Sequence, residues 1–213
     1  MNIIKNLVPS TKYNIKCPYT MNPEFIVVHN TANSASARNE IAYMVSNNNQ
    51  VSFHYAIDDK EIVQGILENR NAWHAGDGAN GKGNRNGIAI EICYSKSGGD
   101  KFIAAEKLAA QFIASKLKEK GWGIDKVKKH QDFSGKYCPH RTLDMGWQRF
   151  LNMIKSYMNT STSTSSASAS STSTVAKKTL YKVQAGAFTN KANAEAQVAK
   201  LKKAGFAACI VKE

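Results

Sequence analysis

The sequence predicts an α/β fold: a central mixed β-sheet flanked by helices, then a flexible linker and a small βαβ module. Three observations carry that expectation. Two apolar runs, EFIVVHN at 24–30 and GIAIEICYS at 87–95, are short and nearly unbroken, as strands buried on both faces read. Between 102 and 120 the apolar residues Phe102, Ala105, Leu108, Ala109, Phe112, Ile113 and Leu117 recur at helical spacing. Residues 159–178 open with NTSTSTSSASASSTST, an uncharged tract without large apolar side chains, which cannot bury a core.

Each element has its own signal. Within a first domain of 1–158, residues 36–48 place Ile41, Met44 and Val45 on one helical face. VSFHYAID and KEIVQGI alternate like paired strands, with a turn at Asp58, Asp59 and Lys60. A Gly/Asn-rich loop follows at 75–87, AGDGANGKGNRNG. Gly121 is expected to stop the long helix. A last helix at about 143–158 presents Leu143, Trp147, Phe150, Leu151, Ile154 and Tyr157. The linker, 159–178, spans on the order of 24 Å as a flexible coil, so the parts it joins can reach separate sites on one target. In the third segment, 179–213, LYKVQAGAF and FAACIVKE read as strands around the helix NKANAEAQVAKLKKAG. A βαβ unit this small is below the size that sustains a core alone, so it needs a partner, a second copy or the first domain, and pairing of two copies in a homodimer is expected.

The 213 residues carry a formal charge of +13. That balance calls for a polyanionic partner. Basic stripes here lack aromatic interleaving, and no recognition motif for nucleic acid appears, so an anionic cell envelope is expected and nucleic acid is not. No stretch approaches the roughly 18–20 apolar residues of a membrane span, so no membrane insertion is expected. MNIIKNLVPSTKYNIK has no apolar core of a secretory signal. The four cysteines, Cys17, Cys93, Cys138 and Cys209, are widely and irregularly spaced and are expected as free thiols, with Cys93 in the core.

The chemistry concentrates in KKHQDFSGKYCPHR and at the end of FIVVH. His29, His130 and Cys138 are three borderline or soft donors, the set a catalytic zinc site needs, with the fourth tetrahedral position left for water. Asp132, two residues after His130, is placed to orient a ligand. A zinc-activated water suits amide hydrolysis and needs a base. Glu91, a carboxylate inside an apolar strand, is the candidate, because burial without a role is costly and would raise its pKa toward a useful value. The alternative for Glu91 is an ion pair with Arg85 or a lysine. Lys136, two residues before Cys138, is placed to stabilise an oxyanion.

The stretches KCPYTMNPEFIVVHNTAN, VSFHYAIDDKEIVQGI, NAWHAGDG, IAIEICYSKSGGD and HQDFSGKYCPHR cover nearly all of 1–158. They resemble the zinc-dependent N-acetylmuramoyl-L-alanine amidases of the type-2 amidase and peptidoglycan-recognition superfamily, and phage endolysins in particular. The resemblance implies one zinc on His29, His130 and Cys138, Glu91 as base, Lys136 at the oxyanion, and cleavage of the lactyl–L-alanine amide of bacterial peptidoglycan. Trp73, His74, Asn84 and Arg85 are expected to contact substrate, while His54 and His140 are expected to be structural. One departure stands out: several members have a catalytic tyrosine where this chain has Phe53. YKVQAGAFTNKANAEAQVAKLKKAGFAACIV resembles a SPOR repeat, a family that binds peptidoglycan glycan, but only one βαβ half is present. The implied course is accumulation in the host cytoplasm, then release to the cell wall. A sporulation autolysin of the same activity and a non-catalytic recognition protein are the alternatives.

Overall fold

A computed structural model describes residues 1–159, 186, 189–203 and 210. The chain divides into two compact units, Met1–Ser165 and Ser166–Glu213. In the second, the helix Lys191–Lys203 is described, as the sequence predicts. Apart from residues 186 and 210, the predicted strands at 180–188 and 206–213 lie outside the described residues, as do most of the linker and Cys209.

The first unit holds one six-stranded sheet in the order β1-β4-β3-β5-β2-β6. In chain order, β1 (Ile3–Lys5) and a short helix α1 (Tyr13–Lys16) precede β2 (Phe25–Asn30). Helix α2 (Ala37–Ser46) follows, then β3 (Tyr55–Ile57), β4 (Ile62–Gln64), α3 (Lys82–Asn86) and β5 (Gly87–Ile92). The long α4 (Gly99–Lys120) leads to β6 (Val127–Lys129), α5 (Gln131–Ser134), α6 (His140–Asp144) and α7 (Trp147–Asn159).

The sheet is mixed, as expected. β3 and β4 are antiparallel, and every other pairing is parallel. The turn between β3 and β4 is an Asx turn: Asp58 Oδ1 accepts from the backbone N–H of Lys60 and of Glu61. β2 and β5 are central and buried along their whole apolar runs apart from Glu91. Tyr55 on β3 meets Phe112 of α4 edge to face, so α4 covers that side of the sheet. Glu91 shares a cavity with Glu40 and Met44, so α2 covers the opposite side.

Two helix ends follow from glycine. Gly121 closes α4 in the left-handed region, where its N–H reaches Lys118 O. Gly146, at φ 104°, separates α6 from α7. The single helix expected at 143–158 is therefore two: Leu143 belongs to α6, and the apolar face of α7 starts at Trp147. The short strands β1 and β6 and the helix α3 inside the Gly/Asn-rich loop were not foreseen.

Two lysines hold the loop after α2. Lys12 Nζ donates to the carbonyls of Val45, Ser46 and Asn47, the C-terminal end of the helix. Lys16, fully buried, donates from Nζ to Asn47 Oδ1 and the carbonyls of Asn49 and Val51. Burial and the Lys12 charge push its pKa down.

On α4, Glu106 is buried, and one of its oxygens takes a 2.6 Å ion pair from Arg149 of α7. Arg149→Met leaves that carboxylate without its cation, and we expect a loss on the order of 2–3 kcal/mol, because the arginine is itself partly solvated. Urea denaturation checks it, and Glu106→Gln in the same chain should return part of the loss.

Candidate active site

Three strand ends build the site. β2 and β5 pair in parallel with His29 opposite Glu91, and β6 pairs in parallel with the other edge of β2. The residue after β6 is His130, whose N–H bonds Val28 O at 3.3 Å. His130 thereby emerges beside His29. Gly135, left-handed at φ 75°, then reverses the chain after α5. Gln131 N–H donates to Cys138 O at 3.0 Å, which returns Cys138 to the two histidines. Asn30 locks that return: its Oδ1 accepts from the N–H groups of Arg141 and Thr142, capping α6.

The donor atoms of His29, His130 and Cys138 lie within 4.8 Å of one another, and all three residues are buried. His29 Nδ1 is 3.0 Å from His130 Nδ1 and 3.9 Å from Cys138 Sγ. The edges of a tetrahedral zinc site with these ligands are about 3.3 Å (N to N) and about 3.6 Å (N to S). The residues therefore fit the ion in donor type and in spacing. Burial pushes the imidazole of His29 well below its usual pKa, helped by His74, His130 and Lys136. His130 is lowered by burial and Lys136, against the Ala75 carbonyl and Asp77. Both rings are thus the neutral form that binds metal. Burial and Glu91 push the Cys138 thiol up to about 11, a balance that a bound dication reverses.

Glu91 lies on the same sheet face as His29. Its Oε2 is buried without a hydrogen-bond partner among the described residues. Burial, then Glu40, raise its pKa to about 8, against the charge of Lys136. No ion pair to Glu91 occurs among the described residues, so Arg85 is not its counter-ion. Lys136 is exposed on the rim of the groove, within electrostatic reach of His29, His130, Glu91 and Cys138.

The groove over these residues has a volume of about 690 Å³, bordered by His29, Gln50, Phe53, Trp73, Glu91 and Cys138 among others. A side cavity of about 200 Å³ opens beside it, reaching Glu40 and Tyr43 of α2. Thr31, Val51, Phe53 and Glu91 line both.

The expected substrate contacts sort differently. Trp73 borders the groove with its Nε1–H bonded to Ile15 O at 3.0 Å. His74 Nδ1 is 3.0 Å from His29 Nε2, so it fixes the orientation of the His29 ring. Asn84 borders the groove, but its Oδ1 accepts from the N–H groups of His74 and Ala75, and it shapes the loop that presents His74. Arg85 is not among the groove residues; its guanidinium stacks 4.0 Å over the Tyr19 ring. Asp132 does not touch His130. It accepts from Lys129 N–H at 3.0 Å and pairs with Lys129 Nζ. The roles of Asn30, Thr31 and Glu40 were not read from the sequence, although Asn30 and Thr31 follow a ligand at a strand end.

Comparison with known proteins agrees with this geometry. Residues 19–141 match the family described as N-acetylmuramoyl-L-alanine amidase, and residues 149–212 match the SPOR domain. The SPOR match thus starts inside α7, upstream of the segment expected from sequence. N-acetylmuramoyl-L-alanine amidase CwlA of Bacillus subtilis is 52% identical over 198 residues, 90% of this chain and 73% of that protein. XlyB of the same organism is 60% identical over 156 residues, 73% of this chain, which spans about half (49%) of XlyB. Endolysin PlyTW of Staphylococcus phage Twort is 32% identical over 132 residues, 58% of this chain and 27% of that protein. The solved structure of PlyL superposes with a TM-score of 0.71 at 52% identity, covering 74% of this chain and 99% of that one.

His54 gives a test of how dry the site's surroundings are. Ala89 N–H donates to its Nδ1 at 2.9 Å, and its Nε2 bonds Arg70 O at 2.9 Å, so the ring is neutral and fully used. Burial lowers its pKa from 6.5 to about 4. The unfolded chain therefore takes the proton first. The contribution to stability is complete above pH 6.5 and is lost as pH falls toward 4, by roughly 1.4 kcal/mol per unit. Ring titration by NMR should show His54 neutral at pH 5.5; a midpoint near 6.5 would contradict this.

Proposed function

Since the chain belongs to the N-acetylmuramoyl-L-alanine amidase family, we propose that it hydrolyses the amide joining the lactyl group of N-acetylmuramic acid to L-alanine in bacterial peptidoglycan. The observation that carries this reading is the buried His29–His130–Cys138 cluster beside Glu91, whose Oε2 has no hydrogen-bond partner among the described residues, open to one groove.

His29, His130 and Cys138 would hold a zinc ion, which when bound would supply an acidified water and a Lewis acid for the carbonyl. Glu91 takes the proton of the attacking water. As the C–N bond breaks, it passes that proton to the leaving nitrogen, so the products are a lactyl carboxyl group and a free L-alanine amine. A pKa raised by burial suits a group that must both accept and release a proton. The ammonium of Lys136, at the rim, stabilises the oxyanion of the tetrahedral intermediate. Phe53 offers no hydroxyl, so Glu91 carries the base role here. His74 and Asn84 hold the geometry of His29, and Trp73 forms part of the groove wall.

The C-terminal segment, in this reading, keeps the enzyme on its substrate by binding glycan strands, with the linker letting both parts engage the wall. Domain limits of 1–158, 159–178 and 179–213 follow from composition, and pairing of two C-terminal segments would complete a binding surface. The similarity to an endolysin favours release from the cytoplasm to the wall.

Digested peptidoglycan should show new free N-terminal L-alanine by mass spectrometry. Glu91→Ala should lower the rate by about 10²- to 10⁴-fold while keeping zinc. Cys138→Ser should lose both zinc and activity. No new amine from the zinc-loaded wild type would overturn the reading. Sedimentation should show self-association that truncation at 178 removes, and a monomer at high concentration would end the pairing idea.

A further inference from the structure

Thr31 has the position and chemistry of a working residue that no motif singled out. It lies two positions beyond His29, on the same face of the sheet, by the alternation of an extended chain. Its N–H still bonds Ile92 O at 3.2 Å, which keeps it in register beside the strand that carries Glu91. The next residue, Ala32, turns sharply at φ 57°, and its N–H donates to Ser95 Oγ at 2.8 Å. A non-glycine residue held in this region is strained, and the surrounding structure over-determines it. Thr31 is therefore fixed from both sides.

Its hydroxyl is buried and has no hydrogen-bond partner among the described residues. The same is true of Glu91 Oε2. Both residues line the groove and the side cavity, together with Phe53. Leaving a hydroxyl buried and unsatisfied carries a desolvation cost that nothing among the described residues offsets. Two such atoms, on residues that line the same groove and side cavity, are the setting in which an ordered water is held.

We propose that Thr31 is a catalytic residue whose hydroxyl, with Glu91, holds the water that attacks the scissile amide. The proposal rests on the amidase reading. One O–H of that water donates to Glu91 and the other to Thr31 Oγ1, so a lone pair is left facing the carbonyl. Glu91 receives the proton as the C–O bond forms; Thr31 exchanges none. The arrangement supplies a hydroxyl to a cavity wall where Phe53 has none.

The test uses the full chain with zinc bound. Thr31→Val keeps the shape and removes the hydroxyl. We expect unchanged zinc content and melting temperature, KM on peptidoglycan within a few-fold, and kcat lower on the order of 100-fold, as for a misplaced reactant. Thr31→Ser should recover most of the rate. Crystal structures give a second readout: a water about 3 Å from both Thr31 Oγ1 and Glu91 Oε2 in wild type, absent from Thr31→Val. Wild-type kcat in the valine variant, loss of its zinc, or a Thr31 hydroxyl bonded to a protein atom in the wild-type crystal would each overturn the proposal. Should the valine variant not fold, the serine variant and the wild-type crystal still decide. An inactive wild type would instead overturn the amidase reading itself.

Discussion

The hydrogen-bond ladders that hold β2 between β5 and β6 fix three functional side chains at once. His29 ends β2, Glu91 is its register partner on β5, and His130 follows β6. A slip of one residue in either ladder would turn His29, Glu91 or His130 to the other face of the sheet. Cys138 arrives by a different route, through the reversal at Gly135 and the cap that Asn30 places on α6. The three candidate donors thus come from two sources of precision, a sheet register and a capped helix, and both are anchored on the same strand.

Around that anchor, buried polar groups fall into two kinds. His54 and Asn84 spend their hydrogen bonds on backbone groups, Lys16 on two carbonyls and the Asn47 side chain, and all three hold loops in place. Glu91 and Thr31 leave an atom unspent and face a cavity. Both kinds carry a desolvation cost. The first offsets it within the fold, while the second leaves it to be offset by what enters the groove, which is how binding sites differ from cores.

Much of this was legible in the sequence, for reasons that are local. EFIVVHN and GIAIEICYS declared themselves as buried strands by unbroken apolar runs, and α4 by its period and its stop at Gly121. The structure brings together the His29, His130 and Cys138 donors that the sequence paired across about a hundred residues. What was not legible depends on partners distant along the chain. β6 is three residues long and exists because β2 offers it an edge. Arg85 looked like a carboxylate receptor but stacks on Tyr19, and Asp132 looked like a ligand's support but bonds Lys129. Both contacts are made with residues that sequence patterning does not pair with them. Gly146 splits a helix whose apolar pattern runs straight across the break.

The lysine clamps behind the groove wall bear on how such an enzyme can diversify. Lys12 and Lys16 grip the segment 45–51 by its carbonyls and by one asparagine oxygen, while Gln50 and Val51 border the groove. Because the grip is on main-chain atoms, it is largely indifferent to which side chains the segment displays. That makes 50–51 an interchangeable cassette: selection or an engineer can rewrite the face shown to the wall polymer while the catalytic strands stay as they are.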